Sequence, residues 1–340
     1  MTALPSASIN APSSPSGAPT AERIPAVGSH APVGIFDSGL GGLSVLRAVR
    51  AHLPGEAVIY VADSRYAPYG ARDDDFIAER TLAIGEWLIA QGAKALVVAC
   101  NTATAQSIAQ ARERLPIPVI GVEPGIKPAA LQSKTHVAGV LATQVTLRSA
   151  RFLALHERYA ADCRFLCQPG HGLVEAIERC DLGSPELRAL LDGYLQPMLD
   201  AGADTLVLGC THYPFLDATI RELVGDRLAL IDTSVAIARQ LERVLDQHGL
   251  RAAPGTAAGV PRFCSTSDGA HLQQLTRTLL DLEAPVERVT IPSPRTIQLE
   301  KAGQVKQADG EAETGAQAAT HSDDPLSDLA PASRPEPEAA

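Results

Sequence analysis

The chain reads as an α/β protein built from two similar halves, each with a mainly parallel sheet, related by a pseudo-two-fold axis. Its active site is expected in the cleft between them. Three observations lead there. Short, fully apolar, β-branched runs alternate with helical stretches of about 12–15 residues, the pattern of a parallel sheet covered on both faces. Gly92-Ala93-x-x-Leu96-Val97-x-x-Cys100 returns as Gly202-Ala203-x-x-Leu206-Val207-x-x-Cys210, and Gly34-Ile35-Phe36 returns more weakly as Gly139-Val140-Leu141. At 340 residues, 45% hydrophobic and 20% charged, the chain is long enough for two cores of ordinary composition.

The elements follow in order. Val33–Phe36 is a strand that runs into Asp37-Ser38-Gly39-Leu40-Gly41-Gly42, and Leu43–His52 is an amphipathic helix. Val58–Ala62 is a second strand, followed by Asp63 and a Pro68-Tyr69-Gly70 turn. Phe76–Ala90 has helical spacing, and Ala95–Ala99 is a strand ending at Cys100. Val119–Val122, Val137–Leu141, Thr205–Leu208 and Leu228–Ile231 continue the strand series. Residues 32–128 with 233–300 are expected to form one domain and 129–232 the other. Residues 1–31 (Ala, Ser and Pro for the most part) and the acidic stretch 301–340 bury too little apolar surface to offset chain entropy. Both are read as disordered, solvated tails rather than as regulatory or partner-binding segments.

Charge and cysteine usage exclude several classes. The formal charge is −10, and residues 303–340 hold eight acids against two bases, which leaves the body only weakly acidic. A nucleic-acid backbone needs a concentrated basic surface, and none is present. No apolar run is long enough for a membrane span, and residues 1–30 lack the basic start and apolar stretch of a secretory signal. The six cysteines contain no C-x-x-C pair, against a zinc ribbon or thioredoxin-type motif and in favour of a reduced, cytoplasmic setting. No metal is expected. Cys163 and Cys167 are spaced to share a helix face, but no His or acid set completes a metal site around them.

In parallel α/β folds ligands gather beyond the carboxyl ends of the strands, so the residues just after each strand carry the chemistry. Cys100 is followed by Asn101-Thr102, and Cys210 by Thr211-His212-Tyr213-Pro214. A single thiol after a strand is usually an inert small hydrophobe. Two at matching positions, each with polar donors after it, form an acid and a base of equal strength. That is what proton transfer between the two faces of one carbon requires. Asp37 to Gly42 frees backbone N–H groups at a helix start. It lacks a Walker lysine and does not fit G-x-G-x-x-G, and its acid suits an ammonium group better than a phosphate. Ser38 as a plain helix cap remains an equal reading of that loop. His212, two residues from a candidate acid, is read as functional. Lys127 precedes a proline and no phosphate loop accompanies it, so a pyridoxal Schiff base is rejected.

Gly34 to Leu43, Pro68-Tyr69-Gly70, Ala99-Cys100-Asn101-Thr102-Ala103 and Gly209-Cys210-Thr211-His212-Tyr213-Pro214 resemble, in order and spacing, the motifs of the glutamate racemases and their aspartate racemase relatives. The resemblance covers about residues 32 to 300. It implies cofactor-independent interconversion of L- and D-glutamate, supplying D-glutamate for peptidoglycan, with Cys100 and Cys210 as the two bases. It implies assistance from Asp37 and His212, and a catalytic role for Glu175 near the second cysteine. Substrate contacts are implied for Asp37, Ser38, Tyr69, Gly70, Asn101, Thr102, Thr211 and His212. Cys167-Gln168-Pro169-Gly170-His171-Gly172, just before Glu175, fits the motif loosely. The partner implied is glutamate itself, with a homodimer left open. An aspartate racemase and a non-catalytic partner-binding regulator are the competing readings.

Overall fold

A computed structural model describes residues 28–301 of the chain, with the side chains of Glu300 and Lys301 excepted. The expectations for residues 1–27 and 302–340 lie outside the described residues. Residues 28–31, assigned by composition to the first tail, form a turn in which Ala31 N–H donates to the Gly28 carbonyl at 3.0 Å. The buried Lys94 ammonium donates to the Ser29 carbonyl at 2.5 Å.

The first sheet begins with β1 (Val33–Asp37), α1 (Leu43–His52), β2 (Val58–Ala62) and α2 (Asp74–Ala90). It continues through β3 (Ala95–Val98), α3 (Asn101–Arg114), β4 (Val119–Gly121) and α4 (Ile126–Gln132). The second contains β5 (Val137–Ala142), α5 (Gln144–Arg148), α6 (Ala150–Tyr159), β6 (Arg164–Pro169), α7 (Leu173–Glu178) and α8 (Pro185–Asp200). It ends with β7 (Thr205–Gly209), α9 (Asp217–Val224) and β8 (Ala229–Ile231). The chain then returns to the first sheet through α10 (Ser234–Gln247), β9 (Arg262–Ser265), α11 (Ala270–Leu280), β10 (Val286–Arg288) and α12 (Pro294–Lys301).

The strand orders are β10-β9-β2-β1-β3-β4 and β6-β5-β7-β8, with every described pairing parallel. The run β2-β1-β3-β4 has its counterpart in β6-β5-β7-β8, so the sequence repeat is a structural repeat. Its paired glycines have a local cause. Gly92 and Gly202 both sit at φ +87°, just past the ends of α2 and α8, where the left-handed backbone favours glycine as the chain turns into β3 or β7.

All residues of β1, β2, β3 and β7 are buried, as strands covered on both faces must be. One apolar cluster includes Val33, Ile35 and Val97 of the first sheet, Leu141, Leu206 and Leu208 of the second, and Leu241 and Leu245 of α10. A second cluster fills the α2–α3 face of the first sheet and a third the α4–α6 face of the second. Among the described residues no helix is long and apolar enough to cross a membrane.

Three strands, β6, β9 and β10, were absent from the sequence reading. Cys163 and Cys167 consequently do not share a helix face: Cys167 lies within β6, whose register pairs it with Val140. β6 and β10 are edge strands, half-exposed and carrying polar residues, so a search for continuous apolar runs passes over them. β9 is only four residues long and opens on Arg262.

Candidate active site

In each sheet the strand order reverses direction about one pair, β1 beside β3 and β5 beside β7. These switch points open a crevice at the carboxyl ends of the strands. Cys100 follows β3 and Cys210 follows β7, so each thiol stands at the switch point of its own sheet. Both are buried.

Cys100 caps α3, where its Sγ receives the Ala103 N–H at 3.4 Å and lies 3.3 Å from Ser38 Oγ. The helix end and the hydroxyl favour a thiolate. Burial opposes them, as does the negative charge of Asp37, and together these push Cys100 up to about 12. Asp37 ends β1. It accepts the Gly39 N–H at 2.7 Å and the Thr211 hydroxyl at 3.2 Å. Burial raises its pKa, against the charge of His212 and those hydrogen bonds. The Asp37–Thr211 bond joins the end of the first sheet to the end of the second. A further bond, from Ser44 Oγ of α1 to the Thr211 carbonyl at 2.8 Å, runs beside it.

Cys210 Sγ lies 3.7 Å from His212 Nδ1, and His212 Nε2 is 3.0 Å from Glu178 Oε1. Burial works against a charge on His212, but the bonds to Cys210 and Glu178 outweigh it and hold the pKa well above the ordinary histidine value. Glu178 answers in kind. Its own burial is overcome by the bond to His212, and its pKa is lowered. The result is an imidazolium–carboxylate pair with one ring N–H facing sulfur.

The loop Asp37–Gly42 has glycines where these groups approach. A Cβ on Gly41 would collide with His212 Nδ1 and Thr211 Oγ1, and one on Gly39 would stand 2.6 Å from Glu178 Oε1. The same glycines that free backbone N–H groups at the start of α1 therefore let the second sheet's catalytic candidates close over it.

The other expected residues divide. Ser38, Asn101, Thr102, Thr211 and His212 are buried and sit after the strand ends beside the thiols. Thr102 Oγ1 lies 3.3 Å from Thr143 Oγ1, which follows β5; Thr143 was not singled out from the sequence, although its place after a strand was the available signal. Tyr69 is buried, but its hydroxyl donates to Asp63 at 2.6 Å, and Gly70 is exposed. Glu175 does not meet His212. It is exposed on α7, and the acid that meets His212 is Glu178, three residues on. A narrow crevice beside Cys210 is lined in part by Asn101, Thr211 and Ser234. Among the described residues no His, Cys, Asp or Glu group gathers in a metal-binding arrangement.

A family model for Asp/Glu/Hydantoin racemases matches residues 43–241. The chain belongs to this racemase family. It is 60% identical over 264 residues to a glutamate racemase of Ralstonia nicotianae, covering 77% of this chain and 94% of that one. It is 57% identical over 265 residues to one of Cupriavidus pinatubonensis, covering 78% and 97%. Among solved structures, Escherichia coli glutamate racemase, determined with L-glutamate and the activator UDP-MurNAc-ala, superposes with a TM-score of 0.69 at 32% identity, covering 77% of this chain and all of that one. The family match takes in α1 through most of α10, and with them both cysteines.

Proposed function

We propose that the protein interconverts L- and D-glutamate by proton transfer between two thiols, supplying D-glutamate for peptidoglycan in the cytoplasm. The observation that carries the reading is the pair Cys100 and Cys210 at equivalent strand ends of two repeated sheets, each with its own polar partners. The relatives named glutamate racemase supply the substrate.

The amino acid's ammonium group is drawn to Asp37, whose charge adds to burial in keeping Cys100 protonated. Neutralising that charge removes one of the two effects that oppose Cys100 acting as a base. In one direction a thiolate on one face takes the α-proton, forming S–H as the C–H bond breaks. The opposite thiol then delivers its proton to the other face of the carbanion, leaving the two sulfurs with exchanged protonation states. His212, held charged by Glu178, places an N–H donor beside Cys210 Sγ that meets negative charge on that sulfur. Asn101, Thr102, Thr143 and Thr211 offer donors to the substrate carboxylates, with backbone N–H groups at the starts of α1 and α3 beside them. Residues 32–128 with 233–300 and residues 129–232 act as two lobes around the site, the Asp37–Thr211 and Ser44–Thr211 bonds marking where they meet. Closure excludes water and strengthens each of these interactions.

The deciding experiment incubates the purified, reduced protein with L-glutamate in D₂O without pyridoxal phosphate or metal. Chiral chromatography and the α-proton signal are followed, with L-aspartate in parallel. D-glutamate carrying deuterium at Cα, with little reaction of aspartate, is expected. Exchange with aspartate alone would transfer the mechanism to that substrate, and exchange with neither would leave the partner-binding reading. In Cys100→Ser and in Cys210→Ser, net racemisation should vanish in both directions, and near wild-type turnover in either variant defeats the two-thiol scheme.

A further inference from the structure

Beside the site, on the Cys100 side, lies a buried ionic cluster that the mechanism does not use. Asp63 follows β2 and is fully buried, as is Arg80 of α2. Arg80 Nη2 and Nε donate to the two oxygens of Asp63 at 2.7 and 3.0 Å. Its Nη1 donates to the Ile291 carbonyl, and its guanidinium lies 4.6 Å from the centre of the Tyr66 ring. Asp63 Oδ2 also accepts the Tyr69 hydroxyl at 2.6 Å.

A bidentate pair of this kind adds little net stability over apolar side chains of the same volume, because desolvating two charges offsets most of their attraction. What it does provide is direction, since the planar fork fits a carboxylate in one orientation. That orientation is passed towards the thiol. Tyr69 packs 6.1 Å from the Phe36 ring and 6.5 Å from the Phe76 ring, and belongs to the same apolar cluster as Cys100. The turn Tyr69–Ala71 rests on α3, which Cys100 caps. From its other end, the Asp63 N–H donates to the Asp37 carbonyl at 2.9 Å. One residue, Asp63, thus ties together the end of β1 through its backbone N–H, and the Tyr69-Gly70 turn and α2 through its carboxylate.

We propose that Asp63 and Arg80 are positioning residues for racemisation: they clamp Tyr69 and so hold the Tyr69-Gly70 turn in register with Cys100 when substrate enters. The proposal rests on the two-thiol reading. Tyr69→Phe is the informative variant, because it keeps the ring packing and both halves of the ion pair and removes only the hydroxyl. Asp63→Asn, which leaves Arg80 facing a neutral group, is the harsher companion. Four quantities are read: kcat, KM, Tm, and the separate iodoacetamide alkylation rates of Cys100 and Cys210 by peptide mass spectrometry.

For Tyr69→Phe we expect kcat to fall roughly tenfold to a hundredfold, the range that small misplacements produce, with KM within about threefold. Tm should stay within a few degrees of wild type, as for one lost hydrogen bond. The Cys100 alkylation rate should change at least about threefold while that of Cys210 does not, since thiol reactivity follows local environment. An unchanged kcat, an unchanged Cys100 rate, or an equal change at both thiols overturns the proposal. Alkylation needs no turnover, so it tests the clamp separately from the two-thiol scheme, whose own failure would show as racemisation by Cys100→Ser.

Discussion

Glu175 and Glu178 lie three residues apart on α7, close enough on a helix wheel to share a face, yet only Glu178 reaches His212. Sequence spacing gave no means of choosing between them. The choice depends on how α7 is carried in by the loop at Gly170–Gly172, where Gly172 has φ +80° and Tyr213 donates its hydroxyl to the Gly170 carbonyl. The two cysteines stand out in the sequence because a repeat marks them and each follows a strand end. Glu178→Gln should therefore lower kcat roughly tenfold to a hundredfold, at the low end of acid–base contributions, while Glu175→Gln stays within about twofold. Losing the carboxylate also lowers the His212 pKa, so the alkaline limb of the kcat/KM profile should move to lower pH in Glu178→Gln alone.

The same pair makes a stability prediction whose sign can be worked out. His212 binds its proton more tightly when folded. Its contribution is complete below the ordinary value of 6.5 and disappears as pH rises through the folded value. Glu178 is lowered, so its contribution is complete above the ordinary 4.5 and disappears as pH falls through the folded value. The Tm difference between wild type and Glu178→Gln should be largest between pH 4.5 and 6.5 and shrink on the alkaline side. Thermal melts across that range test it, and a difference that grows above pH 9 would contradict the charged pairing.

Among the elements, glycine serves two purposes that a sequence alone does not separate. Gly41 stands where the loop before α1 meets Thr211 and His212. Gly41→Ala should displace the imidazole from Cys210 and lower turnover by roughly a hundredfold or more, a cost of misplacement rather than of unfolding. Gly193 is exposed within α8 with open space around it. There Gly193→Ala should stabilise the fold by about 0.5–1 kcal/mol through helix propensity and leave kcat unchanged. Activity assays and denaturant melts on the two variants check the contrast. Element legibility follows a related division. The central strands announce themselves because burial on both faces demands unbroken apolar runs. β6 and β10 sit at sheet edges with polar residues exposed, and their pairing is dictated by neighbours distant in sequence.

For the molecule as a whole, the important fact is that the two sheets share a core. Leu241 of α10 is fully buried in the cluster that also holds Val33 and Val97 of one sheet and Leu206 and Leu208 of the other. The sequence repeat invites the expectation of two independently folding halves, but a repeat records the similarity of the parts and not the surface they bury together. Apolar surface common to both sheets couples their unfolding, since exposing one half strips contacts from the other. Leu241→Ala should cost about 2–5 kcal/mol, the range for deleting a buried leucine side chain. It should lower Tm by roughly 4–9 °C for a body of this size, and do so in a single calorimetric transition. If the transition splits in two, the halves hold their own cores and the shared cluster contributes little. If it stays single, the geometry around Cys100 and Cys210 is protected by the cooperativity of the whole fold, and a core mutation far from either thiol will erode activity only as fast as it unfolds the protein.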